Sequence, residues 1–213
     1  MTLVAFDFDG TLTQSDLTAL LGREYDAASE IRGLTEGGLR GEVAFAESLR
    51  QRISLLEGMP ERRVNAAFGR CKLRPGIADL IFDLRSSGVP VAIITGSFQR
   101  GIEAALERAN VAVDHLVANR LVMERGALTG EIEGPLLETG KDRALEELAF
   151  SEEVELGRTI AVGNGDTDLP MLQTAGTAIG FKPNAALERH CDVVVTSVRK
   201  LRLYFEQHDV TDR

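Results

Sequence analysis

Residues 3–12 constrain this chain more than any other stretch, because an apolar run there ends in two carboxylates and a glycine. A buried parallel strand is normally free of charge, so Asp7 and Asp9 at its end require an explanation. Carboxylates about 4 Å apart repel by about 4 kcal/mol at an effective dielectric constant of about 20. A bound cation relieves that repulsion, and α/β folds bind ligands at the carboxyl edge of the sheet. The pattern therefore favours a functional site over a plain polar turn.

Strand and helix patterns alternate after residue 75. Apolar runs typical of buried strands stand at residues 89–94, 159–162, 178–181 and 192–195. Helical patterns stand at residues 77–87, 99–109, 141–150, 169–174, 184–190 and 198–207. A short strand at 115–118 precedes a predicted hairpin that pairs residues 121–123 with 128–132. Repeated strand–helix units predict an α/β fold with a doubly wound, mostly parallel sheet.

Residues 15–70 break this alternation, since they contain helical patterns and no recognisable strand. We expect the glycines at Gly33 and at residues 37–38 to interrupt the helices. A helical block inserted after the first strand of an α/β core is typical of a cap. We therefore predict a small helical cap domain over residues 15–70, and an α/β core formed by residues 1–14 and 71–213.

A predicted helix over residues 42–57 carries an arginine on its apolar face. The apolar stripe consists of Phe45, Leu49, Ile53 and Leu56. Arg52 falls on that stripe, seven residues after Phe45. Such an arginine either extends its charge to the solvent at the rim or binds an anion. The pattern alone leaves both interpretations open.

Three more segments place polar groups at the predicted edge of the sheet. Thr95-Gly96-Ser97 joins a strand to a helix, a geometry that can hold a phosphate at the helix N-terminus. Lys141 stands in the first turn of a helix, where the helix dipole disfavours a cation unless an anion lies nearby. Residues 163–168 end another strand with acids and an amide, and such oxygen ligands suit Mg²⁺.

The sequence Asp-Phe-Asp-Gly-Thr-Leu-Thr at residues 7–13 resembles the first motif of the haloacid dehalogenase superfamily of phosphotransferases. The later motifs of that superfamily are matched in order by Thr95-Gly96, by Lys141 and by residues 164–168. The resemblance extends over the whole chain, and the first motif is the most specific of the four. It implies an enzyme that cleaves phosphate esters with the help of Mg²⁺.

The resemblance also implies roles for single residues. Asp7 would be the nucleophile that becomes an aspartyl-phosphate, and Asp9 the general acid and base. Mg²⁺ would be held by Asp7, by the backbone carbonyl of Asp9 and by Asn164, while Asp168 would support the metal site from behind these ligands or through water. The residues implied for phosphate binding are Thr95, Gly96 and Lys141.

Within the superfamily the chain is most similar to the phosphoserine phosphatases. In that family a cap acid holds the ammonium group of the substrate and a cap arginine holds its carboxylate. Asp16 and Arg52 lie at those positions, and Leu39 and Phe45 match apolar residues that close over the substrate. The resemblance thus implies a small phosphorylated metabolite, L-phosphoserine, as the substrate. The residues alone explain Asp16 equally well as a helix N-cap.

Two positions depart from the pattern of the family. Asn164 stands where the family usually has Asp, which removes a negative charge and is expected to weaken Mg²⁺ binding. Asp166, two residues further on, can compensate for that loss. Thr167 stands where the family has asparagine. The threonine side chain is shorter, so we expect it to reach less far toward the substrate or the nucleophile to form the hydrogen bond.

Several alternatives remain open from the sequence. In the first alternative, the protein catalyses the same reaction on another small phosphate ester, such as a sugar phosphate or a methylthio-sugar phosphate. A transferase that moves the phosphoryl group to a second alcohol uses the same residues. A regulatory protein that keeps the pocket but has lost efficient catalysis is the alternative from another class, since Asn164 weakens the metal site.

Composition limits the partners of the protein. A formal net charge of -9 argues against nucleic acid, because proteins that bind its phosphate backbone are basic. We expect a cytoplasmic enzyme with no membrane partner, since the chain has no long apolar span and no basic leader. Cys71 and Cys191 have no metal-binding spacing and are not expected to pair. The sequence leaves a monomer and a homodimer equally open.

Overall fold

The computed structural model describes residues 1–39 and 44–211, and of residues 37–39 it describes the backbone only. The strands in that part of the chain are β1 Leu3–Phe6, β2 Val91–Phe98, β3 His115–Glu124, β4 Ala127–Glu133, β5 Thr159–Gly163, β6 Thr177–Phe181 and β7 Val193–Val195. They form one sheet in the order β4-β3-β2-β1-β5-β6-β7. Each neighbouring pair is parallel except β3 and β4. The predicted α/β fold with a mostly parallel sheet is confirmed.

Helices account for most of the remaining described residues. They are α1 Leu17–Glu24, α2 Ala28–Leu39, α3 Phe45–Ser54, α4 Glu61–Gly69, α5 Ile77–Ser86, α6 Gln99–Arg108, α7 Lys141–Ser151, α8 Leu169–Thr174, α9 Ala185–Glu188 and α10 Val198–Gln207. Within residues 1–39 and 44–211, none of them combines the length and the apolar character needed to cross a bilayer.

Strand β1 lies at the centre of the sheet and is buried on both faces. Alternate side chains point to opposite faces, so Val4 and Phe6 join one hydrophobic cluster while Leu3 and Ala5 join the other. The ring of Phe6 packs edge-on against that of Phe205 in α10, with centroids 6.5 Å apart. Because β1 pairs with β2 on one side and β5 on the other, the segments that follow these three strands meet at one edge.

Helices α1 to α4 lie between β1 and α5 in the chain and pack in part against the β3–β4 hairpin. The amide of Gly58 donates to the carbonyl of Leu128 at 2.8 Å, and the amide of Leu128 donates to Met59 at 3.0 Å. These hydrogen bonds attach the end of the α3–α4 connection to the sheet. A division into a core and a cap over residues 15–70 stays a prediction.

Some predicted boundaries were wrong. Helix α2 runs through Gly33 and continues to Leu39, so the expected glycine breaks in this segment do not occur. The predicted short strand and the first arm of the hairpin form one continuous strand, β3. The hairpin itself is confirmed, with Met123 opposite Leu128. Glu42, the predicted start of α3, lies outside the described residues.

Asp114 holds the start of β2 in place and makes the free energy of unfolding depend on pH. Its carboxylate accepts three hydrogen bonds from Nε and Nη2 of Arg85 and one, at 2.9 Å, from the amide of Val91. Burial raises the pKa of Asp114, but these hydrogen bonds outweigh it, so its pKa is lowered overall. A lowered pKa stabilises the fold above the unfolded value, about 3.9, and the contribution disappears as pH falls through the folded value.

We expect Asp114→Asn to lower the free energy of unfolding by about 1 kcal/mol near neutral pH. The difference from the wild type should shrink toward zero in acid, where the wild-type carboxylate is also neutral. Urea denaturation between pH 3 and 7 measures it, with exposed Glu107→Gln as the control. A difference that is constant across this range would contradict the assignment.

Candidate active site

The turn of residues 7–11 is held in place by contacts from two distant segments. Gly10 has a φ of 83°, and a Cβ added there would lie 2.4 Å from Nδ2 of Asn164. The Thr11 hydroxyl donates to Oδ1 of Asn164 at 3.0 Å. Arg74 donates to the carbonyls of Gly10 and Thr11 at 2.6 and 2.9 Å. A side chain at position 10 would therefore separate the turn from the segment that follows β5.

Lys141 joins two buried carboxylates at the edge of the sheet. Its Nζ donates to Oδ1 of Asp7 at 2.5 Å and to Oδ1 of Asp168 at 2.6 Å. All three side chains are at most 7% exposed. The two carboxylates are the anions that a lysine in a first helical turn was predicted to need, because they offset the unfavourable end of the α7 dipole.

Burial and neighbouring charges shift the pKa values of Asp7 and Lys141. Burial, followed by the charge of Asp168, raises the pKa of Asp7 to about 6, although Lys141 opposes this. Burial alone would lower the pKa of Lys141, but the charges of Asp168 and Asp7 reverse that, and its pKa is raised. Lys141 is therefore a fixed cation beside Asp7.

Both oxygens of the Asp168 carboxylate accept hydrogen bonds from neighbouring groups of the site. Its Oδ2 accepts from the amide of Asn164 at 2.8 Å and from that of Gly165 at 3.0 Å, while its Oδ1 accepts from Lys141. A Cβ on Gly163 would lie 2.5 Å from Cβ of Asp168, so glycine is required for this approach. Asp168 thus fixes both Lys141 and the segment after β5.

Asp9 faces the same space as Asp7 but has few partners. Its Oδ2 accepts a long bond, 3.4 Å, from the amide of Leu17 at the start of α1. Burial raises the pKa of Asp9 well above its ordinary value, as do the charges of Asp16 and Asp7. The protonated form of Asp9 is thereby favoured, which suits a group that donates a proton.

The carboxyl end of β2 contributes hydroxyls and a close-packed glycine; the strand runs to Phe98, so Thr95-Gly96-Ser97 belongs to it and is not the predicted joining segment. Thr95 is 2% exposed, and its hydroxyl accepts from the amide of Ser97 at 3.3 Å. A Cβ on Gly96 would lie 2.5 Å from Cζ of Phe45, so glycine lets this ring approach the turn. Asn119, fully buried in β3, donates to the carbonyl of Gly96 at 3.0 Å and fixes its orientation.

Arg52 and Asp16 lie on the helical side of the cavity. Arg52 is 6% exposed, so it does not extend into solvent as one interpretation of the helix pattern proposed. It donates to the carbonyl of Ser48 at 3.2 Å and to the Thr35 hydroxyl at 3.4 Å. Oδ1 of Asp16 accepts from the amide of Ala19 at 2.8 Å, which confirms the N-cap interpretation.

These residues surround one cavity of ≈ 430 Å³. The predicted residues that line it are Asp7, Asp9, Asp16, Phe45, Arg52, Thr95, Gly96, Lys141, Asn164 and Thr167. Asp168 lies behind Lys141 rather than in the wall. The side chain of Leu39 lies outside the described residues. The structure therefore brings together nearly all of the predicted site from both sides of the sheet edge.

The oxygen donors at this edge are of the kinds that a hard cation prefers. Asp7, Asp9 and Asn164 line the same cavity, and Mg²⁺ accepts carboxylate, backbone carbonyl and amide oxygens. Among the described residues, no three His, Cys, Asp or Glu side chains are grouped as metal ligands. The carboxylate of Asp168 is already paired, since it accepts from Lys141 and from the amides of Asn164 and Gly165.

Sequence reasoning missed three residues that shape the site. Arg74 and Asn119 act by hydrogen bonds to backbone carbonyls of distant turns, and no local pattern marks them. Ser97 belongs to a segment that sequence reasoning identified, yet only Thr95 and Gly96 were assigned to the site.

Comparison with known proteins defines the class. A family model described as haloacid dehalogenase-like hydrolase matches residues 4–173, more than half of the chain. The chain therefore belongs to the haloacid dehalogenase-like hydrolases, as its motifs predicted.

Particular relatives share one name. A phosphoserine phosphatase of Halobacterium salinarum is 42% identical over 210 residues, covering 99% of this chain and 100% of that protein. One of Methanocaldococcus jannaschii is 34% identical, covering 91% of each. A solved structure described as a phospho-aspartyl intermediate analogue of phosphoserine phosphatase has a TM-score of 0.88 at 32% identity, covering 95% of this chain and 98% of that one. These findings confirm the prediction of a phosphatase.

Proposed function

We propose that this protein is a Mg²⁺-dependent phosphatase that hydrolyses L-phosphoserine to L-serine and phosphate through an aspartyl-phosphate on Asp7. One observation carries the proposal: Lys141 holds a buried Asp7 beside Asp9, in a cavity that Asp16 and Arg52 also line. A substrate complex of a related phosphoserine phosphatase, with a TM-score of 0.88 at 31% identity, supports the choice of substrate.

The chemistry follows from the charge states of three side chains. Asp7 attacks phosphorus, and Lys141 neutralises charge beside it without losing its own proton, since its pKa is raised. Asp9, whose raised pKa favours the acid, protonates the departing serine oxygen. The same group, now ionised, takes a proton from the water that hydrolyses the aspartyl-phosphate.

Recognition of phosphoserine needs an anionic and a cationic partner for its amino-acid part. Asp16 uses one oxygen as the cap of α1, which leaves the other for an ammonium group. Arg52 has five N–H donors and commits two to Ser48 and Thr35, so others can hold a carboxylate. A ligand that lacks either the ammonium group or the carboxylate would leave Asp16 or Arg52 without a partner in the substrate.

The oxygen atoms around Asp7 are suitable ligands for Mg²⁺. Asp7, the backbone carbonyl of Asp9 and Asn164 would hold the ion, which supplies positive charge where the phosphate meets two carboxylates. Thr11 orients the Asn164 amide by donating to its oxygen. Asp166 lines the same cavity and accepts from Asn184 at 2.9 Å, so a carboxylate stands near the position where Asn164 lacks one.

Phosphate release from a panel of monoesters tests the proposal. L-phosphoserine should be hydrolysed at the highest kcat/KM among a dozen small phosphates, and activity should disappear on chelation and return with added Mg²⁺. A sugar phosphate that is preferred over phosphoserine would overturn the substrate assignment. Unchanged turnover in a chelator would overturn the metal.

Arg52→Ala should damage recognition more than chemistry. We expect KM for L-phosphoserine to rise about 10- to 100-fold, because a buried charged hydrogen-bond partner of the substrate is lost. KM for p-nitrophenyl phosphate, which has no carboxylate, should change only a few-fold. Steady-state kinetics on both substrates measure the contrast, with Arg50→Ala on the exposed face of α3 as the matched control. Equal effects on the two substrates would show that Arg52 acts on the fold and not on the ligand.

A further inference from the structure

Two residues that line the cavity each carry a buried polar atom without a hydrogen bond to the part of the chain that the structure describes. Within residues 1–39 and 44–211, the buried side-chain oxygens or nitrogens that lack a hydrogen bond are Oδ1 of Asp9 and Oγ of Ser97. Ser97 is 5% exposed, and both residues line the same cavity. Buried hydroxyls are normally paired, so an unpaired one facing a cavity indicates a ligand group that pairs with it.

The two side chains are close together. The Ser97 hydroxyl lies near enough to the Asp9 carboxylate to lower its pKa in part, although the two do not meet hydrogen-bond geometry. The peptide group that precedes Ser97 is fixed at both of its polar atoms, because the amide of Ser97 donates to the Thr95 hydroxyl and the carbonyl of Gly96 accepts from Asn119. The hydroxyl can turn about its own bond while its oxygen stays in place.

A water molecule satisfies both atoms in the hydrolysis step. It has two hydrogens: one is given to Oδ1 of Asp9, which acts as the base, and the other needs an acceptor. The hydroxyl oxygen of Ser97 is such an acceptor, since it has two lone pairs. The bridging oxygen of the departing serine has no hydrogen of its own, so it does not need this acceptor.

We propose that Ser97 is a positioning residue for the attacking water, which it orients by accepting the hydrogen that Asp9 does not take. This rests on the proposed function. In the step, a bond forms between the water oxygen and phosphorus, and the bond between phosphorus and Asp7 breaks. One proton passes to Asp9, and the other stays on the phosphate that leaves. Phosphorylation of Asp7 does not use this water.

The proposal separates the two half-reactions, and Ser97→Ala tests it. With L-phosphoserine and Mg²⁺, we expect kcat to fall about 10- to 100-fold while the rate of Asp7 phosphorylation in rapid-quench experiments changes less than about 3-fold. The phosphoenzyme should accumulate as a burst. Exchange of labelled L-serine into phosphoserine, relative to hydrolysis, should rise at least about 10-fold, because the serine step is spared while the water step is slowed.

Stability distinguishes positioning from a structural role. Since this hydroxyl makes no hydrogen bond of normal geometry to any residue that the structure describes, Ser97→Ala should melt at the wild-type Tm or above it. Ser97→Thr, which keeps a hydroxyl, should recover part of the hydrolysis rate, and exposed Ser151→Ala should match the wild type. A fall in both half-reactions together with a lower Tm would overturn the proposal, as would an unchanged exchange-to-hydrolysis ratio.

Failure of this proposal differs from failure of the proposed function. A wild-type protein that forms no phosphoenzyme from phosphoserine overturns both. Wild-type turnover through Asp7, with Ser97→Ala showing the same ratio of exchange to hydrolysis, overturns the role of Ser97 alone.

Discussion

Asp7→Asn should abolish phosphatase activity, with kcat falling by at least about 10⁴-fold. An amide nitrogen or oxygen in place of the carboxylate cannot form the aspartyl-phosphate, while the shape of the side chain is kept. The amide oxygen can still accept from Lys141, and one of the two carboxylates that crowd this lysine becomes neutral. Activity and stability should therefore separate, with a Tm close to that of the wild type.

The control is Asp79→Asn, which makes the same change on the exposed face of α5. It should retain wild-type kinetics and a wild-type Tm. Substantial phosphate release by purified Asp7→Asn, above that of a mock preparation, would contradict the role of Asp7 as the nucleophile. A large loss of Tm would mean that the activity result reports unfolding instead.

Lys141→Met should lower both stability and activity. It leaves the carboxylates of Asp7 and Asp168 buried without their shared cation, and removing one partner of a buried ion pair typically costs about 3–5 kcal/mol. We also expect kcat to fall at least about 10³-fold, because the fixed positive charge beside the nucleophile is lost. Thermal unfolding and kcat with phosphoserine measure the two effects.

A double variant separates the two consequences for Lys141. Lys141→Met combined with Asp168→Asn removes one of the stranded charges, so it should recover part of the stability and none of the activity. Lys200→Met, an exposed position in α10, serves as the matched control and should change neither quantity. A double variant that regained activity would show that Lys141 acts only through the fold.

The groups of the site could be predicted because carboxyl ends of parallel strands meet at one edge. Asp7, Thr95 and Asn164 each follow a strand in the sequence, and their strands prove to be neighbours in the sheet. The motifs around them were specific enough to identify the family. Arg52 could be placed on an apolar helix face, but its burial and its partners depend on the packing of α2 against α3.

Pairings between distant residues could not be predicted. Lys141 bonds to Asp7, 134 positions away, and no local pattern selects that acid over others. Arg74 and Asn119 hold backbone carbonyls, which every residue has. The failed helix break at Gly33 has a different cause: glycine costs a helix only about 1 kcal/mol, and burial of neighbours such as Ile31 offsets it.

Trapping the intermediate tests the central claim most directly. The protein is mixed with L-phosphoserine and Mg²⁺, quenched within the first turnover and reduced with borohydride, which converts an aspartyl-phosphate to homoserine. Mass spectrometry of the digested chain should show homoserine at position 7 and unmodified aspartate at position 9. Continued release of phosphate with position 7 always recovered as aspartate, or with homoserine found at another position instead, would contradict the account.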